Sequence, residues 1–404
     1  MGKNYSAIIE VLLRTLTMKD NPLITILSDY LNESTSSYSS VDWVEMYHLA
    51  KKHEVSAIVF SQCKESIPWE IFKDYERSYS VTLFYYANRQ NLMGKIEASL
   101  FDVEHFSIKG NSVAKFYPVP AYRTMGDTDI VIHSEDRDEV DKRLKNIGLE
   151  CHSSIENREW QYHFNSMEFE LHDHLVYSES INVGGQENYF NDFWKYVHNN
   201  ELDWNFHFLF LMFHLRKHFM NSGVGIRHFF DIAVLCSRGP EFDWIWIETE
   251  LKKLGLWGFT ERVFALNDYW FRVSPPVEID SVTEEFLHSA TDLVLDNGVF
   301  GFDNEANRNN AAVNNARVQG AGKSNMLMLA ISKVFPCYKV LIVVPHYSYL
   351  RNRPYLLPVV WVHRIFRSIA NRRVSKNMKS VMETSFVDQE TIKRREEIYS
   401  QWGL

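Results

Sequence analysis

The stretch Arg123-Thr124-Met125-Gly126-Asp127-Thr128-Asp129-Ile130-Val131-Ile132 decides how this chain is read. Two carboxylates two residues apart stand at the mouth of a β-branched apolar run. On a strand, such residues point to the same side. Their oxygens can then reach one hard divalent cation, and magnesium takes one or two carboxylates plus substrate phosphates. Upstream, Phe106-Ser107-Ile108 is a short apolar run that ends in Lys109-Gly110. Tyr117-Pro118-Val119-Pro120 between the two must be extended or turn-like, because residues before proline avoid the helical region. The whole reads as a site for a metal-bound nucleotide.

Asp-x-Asp alone is common. Asp136-Arg137-Asp138 also fits the pattern, but on a polar helix, where i and i+2 share no face, it is a solvated surface. Asp127 and Asp129 differ because Ile130-Val131-Ile132 makes a buried strand, and buried carboxylates are costly unless paired or metal-bound. A third acid is expected nearby. Glu168-Phe169-Glu170-Leu171-His172 alternates strictly, which puts Glu168, Glu170 and His172 on one face. If that strand pairs beside Thr128–Ile132, three carboxylates converge. The competing reading is an amphipathic edge strand with an acidic wet face.

Around this stretch the chain reads as helical, then α/β, then helical. Ala7–Leu13, Trp43–Leu49 and Val81–Leu100 have apolar residues at helical spacing, with Ser40 or Asp42 starting the second. Residues 105–200 hold the strands: Phe106–Ile108, Thr128–His133, Leu149–His152, Glu159–Asn165 and Glu168–Leu175. Asn111–Phe116 fits a helical turn or two, and Ser134 caps a polar helix from Glu135 to Ile147. The stretch 201–300 returns to helices: Leu202–Phe219, Ile226–Cys236, Trp244–Leu254, Phe259–Phe271 and Thr283–Leu295. In 301–404, a polar Asn-rich loop at Asp303–Asn310 precedes helical blocks at 323–334 and 358–380. The expected divisions are therefore 1–104, 105–200, 201–300 and 301–404.

Bulk properties set limits. The 404 residues, 45% hydrophobic and 24% charged, can bury a sizeable core. Four scattered cysteines with no Cys-x-x-Cys support neither a zinc knuckle nor a disulfide framework, and point to a reducing, cytoplasmic setting. No apolar run approaches the ~20 residues of a membrane span. The net charge of −9 is uneven: residues 351–404 carry 11 Lys/Arg against 5 Asp/Glu, leaving −15 on residues 1–350. An acidic body argues against broad nucleic-acid binding. The basic segment Trp361–Arg373 packs on that body, or contacts an anionic membrane surface or a partner.

Taken in order, Ile-Lys-Gly, Tyr-Pro-x-Pro, Arg-x-x-x-Asp-x-Asp-Ile-x-Ile and Glu-Leu-His resemble the bacterial uncharacterised nucleotidyltransferase family of the polymerase-beta-like superfamily. The resemblance continues through His214-Leu-Arg-Lys-His218, Gly223-x-Gly225-Ile-Arg227-His-Phe-Phe-Asp231 and Pro358-x-x-Trp361-x-x-Arg364. It implies an α+β fold, a small mixed-sheet nucleotidyltransferase core flanked by helical regions. It also implies transfer of a nucleoside monophosphate from NTP to a hydroxyl-type acceptor, a small metabolite, sugar or peptide. Magnesium is the implied ion, with manganese the alternative. Carried over residue by residue, Asp127 and Asp129 hold metal and Glu170 is the third acid. Lys109, Gly110 and Ser112 fall in the phosphate turn. Two departures stand out: Asn111 rather than serine follows Gly110, and the gap from Gly110 to Asp127 is long.

Other residues complete the expectation. Lys109, Arg123 and Lys217 are candidates to neutralise departing pyrophosphate, and Arg227 to touch nucleotide. Arg227 and Asp231 also fit a simple i, i+4 ion pair. His214 and His218 share a helical face, as zinc ligands can, but no further ligands are evident. His172 is read as supporting the acid cluster. Two other functions remain open: an Asp-x-Asp glycosyltransferase, which needs a larger sheet, and a non-catalytic module that binds nucleotide or a partner.

Overall fold

A computed structural model describes residues 21–154, 159–177, 186–221 and 223–298, and toward the C-terminus 335, 338–341, 350, 353–370 and 389–404. The expected helix at Ala7–Leu13, the Asn-rich loop and the block 323–334 lie outside the described residues.

Four helices open the described chain: α1 (Pro22–Leu31), α2 (Trp43–Lys52), α3 (Ser56–Cys63) and α4 (Trp69–Ser99). The start of α1 follows a local rule. The Asn21 side chain accepts from Leu23 N–H, and Pro22 occupies the first turn, where its missing N–H costs nothing. Asp42, not Ser40, caps α2, accepting from the N–H groups of Val44 and Glu45 at 3.0 Å each. Helix α4 begins twelve residues before the expected Val81, and most of that added stretch is exposed, Tyr75 and Ser78 being its buried residues.

The α/β part follows with β1 (His105–Ile108), α5 (Gly110–Ala114), β2 (Asp129–Ile132), α6 (Arg137–Asn146), β3 (Glu150–Ser154), β4 (Trp160–Phe164) and β5 (Met167–His172). The five strands form one sheet in the order β1-β2-β5-β4-β3. Only β2 and β5 pair in parallel, with Asp129 opposite Glu170. The pairing is extended by Thr128 N–H to Glu168 O at 3.2 Å and Glu170 N–H to Thr128 O at 2.8 Å. The fold is thus α+β with a small mixed sheet between helical regions. One expectation is corrected: Ser134 does not cap the following helix. A 3-10 turn spans Ser134–Asp136, and α6 starts after Asp136 with no side-chain cap.

Strand alternation separates two cores. Ile130, Ile132, Phe169 and Leu171 pack with Leu92, Met93 and Ile96 of α4 and with Val140 and Leu144 of α6. Val131, in contrast, belongs to the main helical core. The side chains that alternate with Phe169 and Leu171 therefore face the helical part. That part contains α7 (Glu187–Asn191), a two-residue hairpin β6–β7 (Val197–His198, Glu201–Leu202), α8 (Trp204–Asn221), α9 (Ile226–Arg238), α10 (Trp244–Lys253), α11 (Trp257–Phe271) and α12 (Glu284–Asn297). Its core is aromatic, built around Phe208, Phe229, Phe230 and Trp270, each essentially fully buried.

Three C-terminal helices are described: α13 (Tyr338–Leu341), α14 (Leu357–Ala370) and α15 (Gln389–Gln401). Leu341, Leu350 and Val360 form a small separate cluster with Trp361 against it. Helix α15 returns to the main core, where Trp402 lies 4.3 Å from the Phe219 ring and Tyr399 donates to Met220 O at 3.2 Å. Gly403 and Gly258 let the two backbones touch, since a Cβ on either would meet the other's main chain. Among the described residues, no helix is long and apolar enough to cross a membrane.

The α/β and helical parts are locked together by Arg123 and Asp231. Arg123 donates from Nε to Asp231 Oδ1 at 3.1 Å and from Nη2 to Oδ2 at 2.7 Å. Tyr117 donates its hydroxyl to Asp231 Oδ1 at 2.6 Å. Burial alone would push the Asp231 carboxyl up, but Arg123 and these hydrogen bonds hold it below the usual carboxylate range. Asp231→Ala leaves the Arg123 charge buried without its partner. It is expected to cost about 3–5 kcal/mol, read as a lowered thermal midpoint relative to the wild-type chain.

Candidate active site

A cleft of about 530 Å³ opens between the sheet and helices α8 and α9. Its sheet side carries Asp127, Asp129, Glu168, Glu170 and His172, and its helical side carries His214, Lys217, His218, Arg227 and His228. The parallel register explains the acid side. Because Asp129 lies opposite Glu170, and His172 follows two residues on, their ligand atoms all come within 4.8 Å of one another.

The cluster is tightly wired. Lys109 Nζ lies 2.5 Å from Asp129 Oδ1, and His172 Nε2 lies 2.9 Å from the same oxygen and 3.5 Å from Glu170 Oε2. Burial pushes the Asp129 carboxyl up, but the Lys109 ammonium and the His172 hydrogen bond reverse this and hold it well below its ordinary value. Glu170 is likewise lowered, burial being outweighed by its bond to His172. The partners respond in the opposite sense. Burial lowers Lys109 and His172, but Asp129 and its neighbouring acids raise both. Asp127 is surface-exposed at the mouth, yet protein crowds its carboxyl. That crowding, and then the Asp129 charge, push it up.

Backbone features place these groups. Lys109 has φ +56° and ψ −128°, a region costly for a side chain that is held only where the surroundings impose it. Here its N–H donates to His207 Nε2 at 3.1 Å, so the buried ring clamps the strained turn. Burial, helped by Lys115, lowers His207 to about 3, which keeps that nitrogen free to accept. Next to it, Gly110 is required by close approach. A Cβ there would collide with the Arg123 guanidinium, which Asp231 holds in place.

Not every expected residue is brought in. Lys109, Gly110, Arg123, Asp127, Asp129, Glu170, Lys217 and Arg227 all line the cleft. Ser112 stands apart, because its hydroxyl donates to Ser107 O at 2.7 Å and thus tightens the end of β1. Arg123 is committed to Asp231 rather than open to pyrophosphate. The i, i+4 pair of Arg227 and Asp231 does not form. Arg227 instead donates to Glu54 Oε2 and, at 3.0 Å, to Thr124 O. His214 and His218 do share a face, with Nε2 atoms 2.8 Å apart, within hydrogen-bond distance of each other. Lys217 has neither an ion pair nor a hydrogen bond among the described residues, and burial followed by the Lys109 charge lowers it.

Two supporting residues escaped the sequence reading. Arg89 of α4, 4% exposed, grips the aspartate loop, donating to Asp127 O at 2.7 Å, Met125 O at 3.0 Å and the Thr128 hydroxyl. The signal was a lone arginine on the inward face of a helix. His207 gave none, since it sits within a run of core aromatics.

This geometry, an Asp129–Glu170–His172 cluster on paired strands facing a helical wall, could hold a divalent cation. The chain belongs to the uncharacterised nucleotidyltransferase family, whose model matches residues 39–272. No curated protein and no solved structure matches it.

The acids carry a pH signature. The folded values of Asp129 and Glu170 are depressed, so their contribution to stability is complete above about pH 4–5, where unfolded carboxyls are ionised. It is lost as pH falls toward the folded values. Asp129→Asn is therefore expected to flatten the acid side of the stability–pH profile of the metal-free protein, followed by thermal unfolding across pH.

Proposed function

We propose that this chain is a divalent-metal-dependent nucleotidyltransferase that moves a nucleoside monophosphate from NTP to an acceptor hydroxyl and releases pyrophosphate. The observation that carries the reading is the in-register pairing of Asp129 with Glu170 inside a cleft that also holds an uncommitted lysine.

The donor set fits a divalent ion. Asp129, Glu170 and His172 converge within 4.8 Å, and Asp127 shares the cleft. Their oxygens suit magnesium, and the imidazole nitrogen of His172 makes manganese acceptable. The ion would supply neutralisation of the phosphates and a clamp on the attacking and leaving oxygens. The rest of the work falls to the protein. Phosphoryl transfer is mostly positioning and charge stabilisation. Glu170, held ionised, takes the proton of the acceptor hydroxyl as its oxygen bonds to the α-phosphorus. The bond from that phosphorus to the bridging oxygen breaks, and pyrophosphate leaves with the electron pair. Lys109 and Lys217, on opposite walls, lie where they can balance the charge of the phosphates. Arg89 and His207 fix the loop and turn that carry the reacting groups. The acceptor class is a small metabolite, sugar or peptide hydroxyl.

Asp127→Ala with Asp129→Ala is expected to abolish metal-dependent transfer of labelled nucleoside monophosphate while the chain stays folded by circular dichroism. Glu170→Gln is expected to lower kcat by about 10²–10⁴-fold with NTP binding largely kept. Undiminished transfer by the double variant would remove the assignment.

A further inference from the structure

The helical wall of the cleft has a chemistry that the carboxylate side does not account for. Three imidazoles, His214 and His218 on α8 and His228 on α9, line it together with Lys217. The His214 and His218 Nε2 atoms are 2.8 Å apart, so with both rings neutral the Nε2–H of one donates to the other. The His228 ring lies 6.0 Å from that of His218, while its Nδ1 faces Gly225 O at 3.3 Å. Such a wall can hold more protons than it carries when the cleft is empty.

The surrounding charges explain why. The cations that face the rings are Lys109 from the β1 turn, Lys217 on α8, Arg227 on α9 and Arg123 from the loop before β2. Among the described residues, the anions that face the rings are Asp129 on β2 and Asp231 on α9, while Glu159 and Glu170 face Lys217. Both anions are already engaged, Asp129 by Lys109 and His172, and Asp231 by Arg123 and Tyr117. Burial and the excess of cations then keep the imidazoles neutral. His218 is lowered to about 3, His228 to about 4, and His214 well below its usual value.

We propose that Lys217 and the His214–His218–His228 wall form the seat of the polyphosphate, and that filling it draws protons onto the imidazoles. The inference rests on the nucleotidyltransferase reading and deepens it. A polyphosphate brings the negative charge that the wall lacks. It gives Lys217 a partner and makes each added imidazolium N–H a charge-assisted donor to phosphate oxygen. The sign follows: because the imidazoles bind protons more readily when the anion is present, polyphosphate affinity falls as pH rises. The excess protons leave with pyrophosphate, so the empty seat resets to its neutral state.

The test is calorimetry of inorganic triphosphate with magnesium, run in buffers of different ionisation enthalpy at about pH 6, within the ordinary imidazole range. The proton exchange of the magnesium triphosphate itself is measured separately and subtracted. The wild-type chain is expected to take up protons on binding. His214→Gln with His218→Gln keeps hydrogen-bonding groups but cannot titrate, and should bind with proton uptake much reduced and a flatter pH dependence. His228→Gln is the second variant should the pair fail to fold. Lys217→Met should weaken binding about tenfold or more. Uptake unchanged in every histidine variant overturns the inference, as does triphosphate affinity unchanged in Lys217→Met. Stoichiometric zinc retained by the purified chain and lost in the histidine variants also overturns it. If wild-type chain binds magnesium triphosphate independently of this wall, only the inference fails. If it binds neither triphosphate nor any NTP with magnesium or manganese, the nucleotidyltransferase reading fails with it.

Discussion

Two ionised carboxylates facing each other on neighbouring strands repel, and Asp129 and Glu170 do so at the buried end of the only parallel strand pair in the five-stranded sheet. Much of the local structure answers that repulsion. His172 bridges both acids, and Lys109 closes on Asp129 from the opposite strand end. Lys109 does so from a positive-φ backbone, which His207 secures by accepting its N–H. Arg89 secures the other approach by holding the carbonyls of Met125 and Asp127. The cluster is thus held as a set of opposed charges, with Asp129 between Lys109 and His172.

The cleft exists because distant segments are held in fixed relation. Arg123, from the loop before β2, reaches Asp231 on α9, while Arg227, one turn earlier on that helix, reaches Glu54 beyond α2. These two bridges bind the loop, the first helices and the helical wall into one frame. Buried ion pairs contribute little net stability against an apolar alternative, but leaving one partner alone is costly. Their effect here is to specify which surfaces face each other across the cleft. The acid side and the imidazole side therefore meet at a set distance, and chemistry at one wall is felt electrostatically at the other.

Much of this was legible locally. Period-two alternation in Glu168–His172 put the acids on one face, and the apolar run after Asp129 put that strand inside. The main helices followed from their spacing. Other features needed the fold. Helix α1 carries its own start signal in Asn21-Pro22, which is short enough to pass as a turn. Arg227 and Asp231 have the separation of an intrahelical pair, yet each takes a partner more than a hundred residues away. Ser112 has the identity of a phosphate-turn serine, but its hydroxyl turns back to Ser107.

Sequence by itself determined the identity of the main elements, the inward side of each strand and the acids, imidazoles and lysines that the cleft could draw on. These depend on periodicity, which is a property of neighbouring residues. Only tertiary structure decided which acid lies opposite Asp129, which cation each acid takes and which lysine is left for a ligand. Those choices are settled by strand register and by contacts between segments far apart in the chain, where small differences in distance and burial select among several chemically equivalent partners.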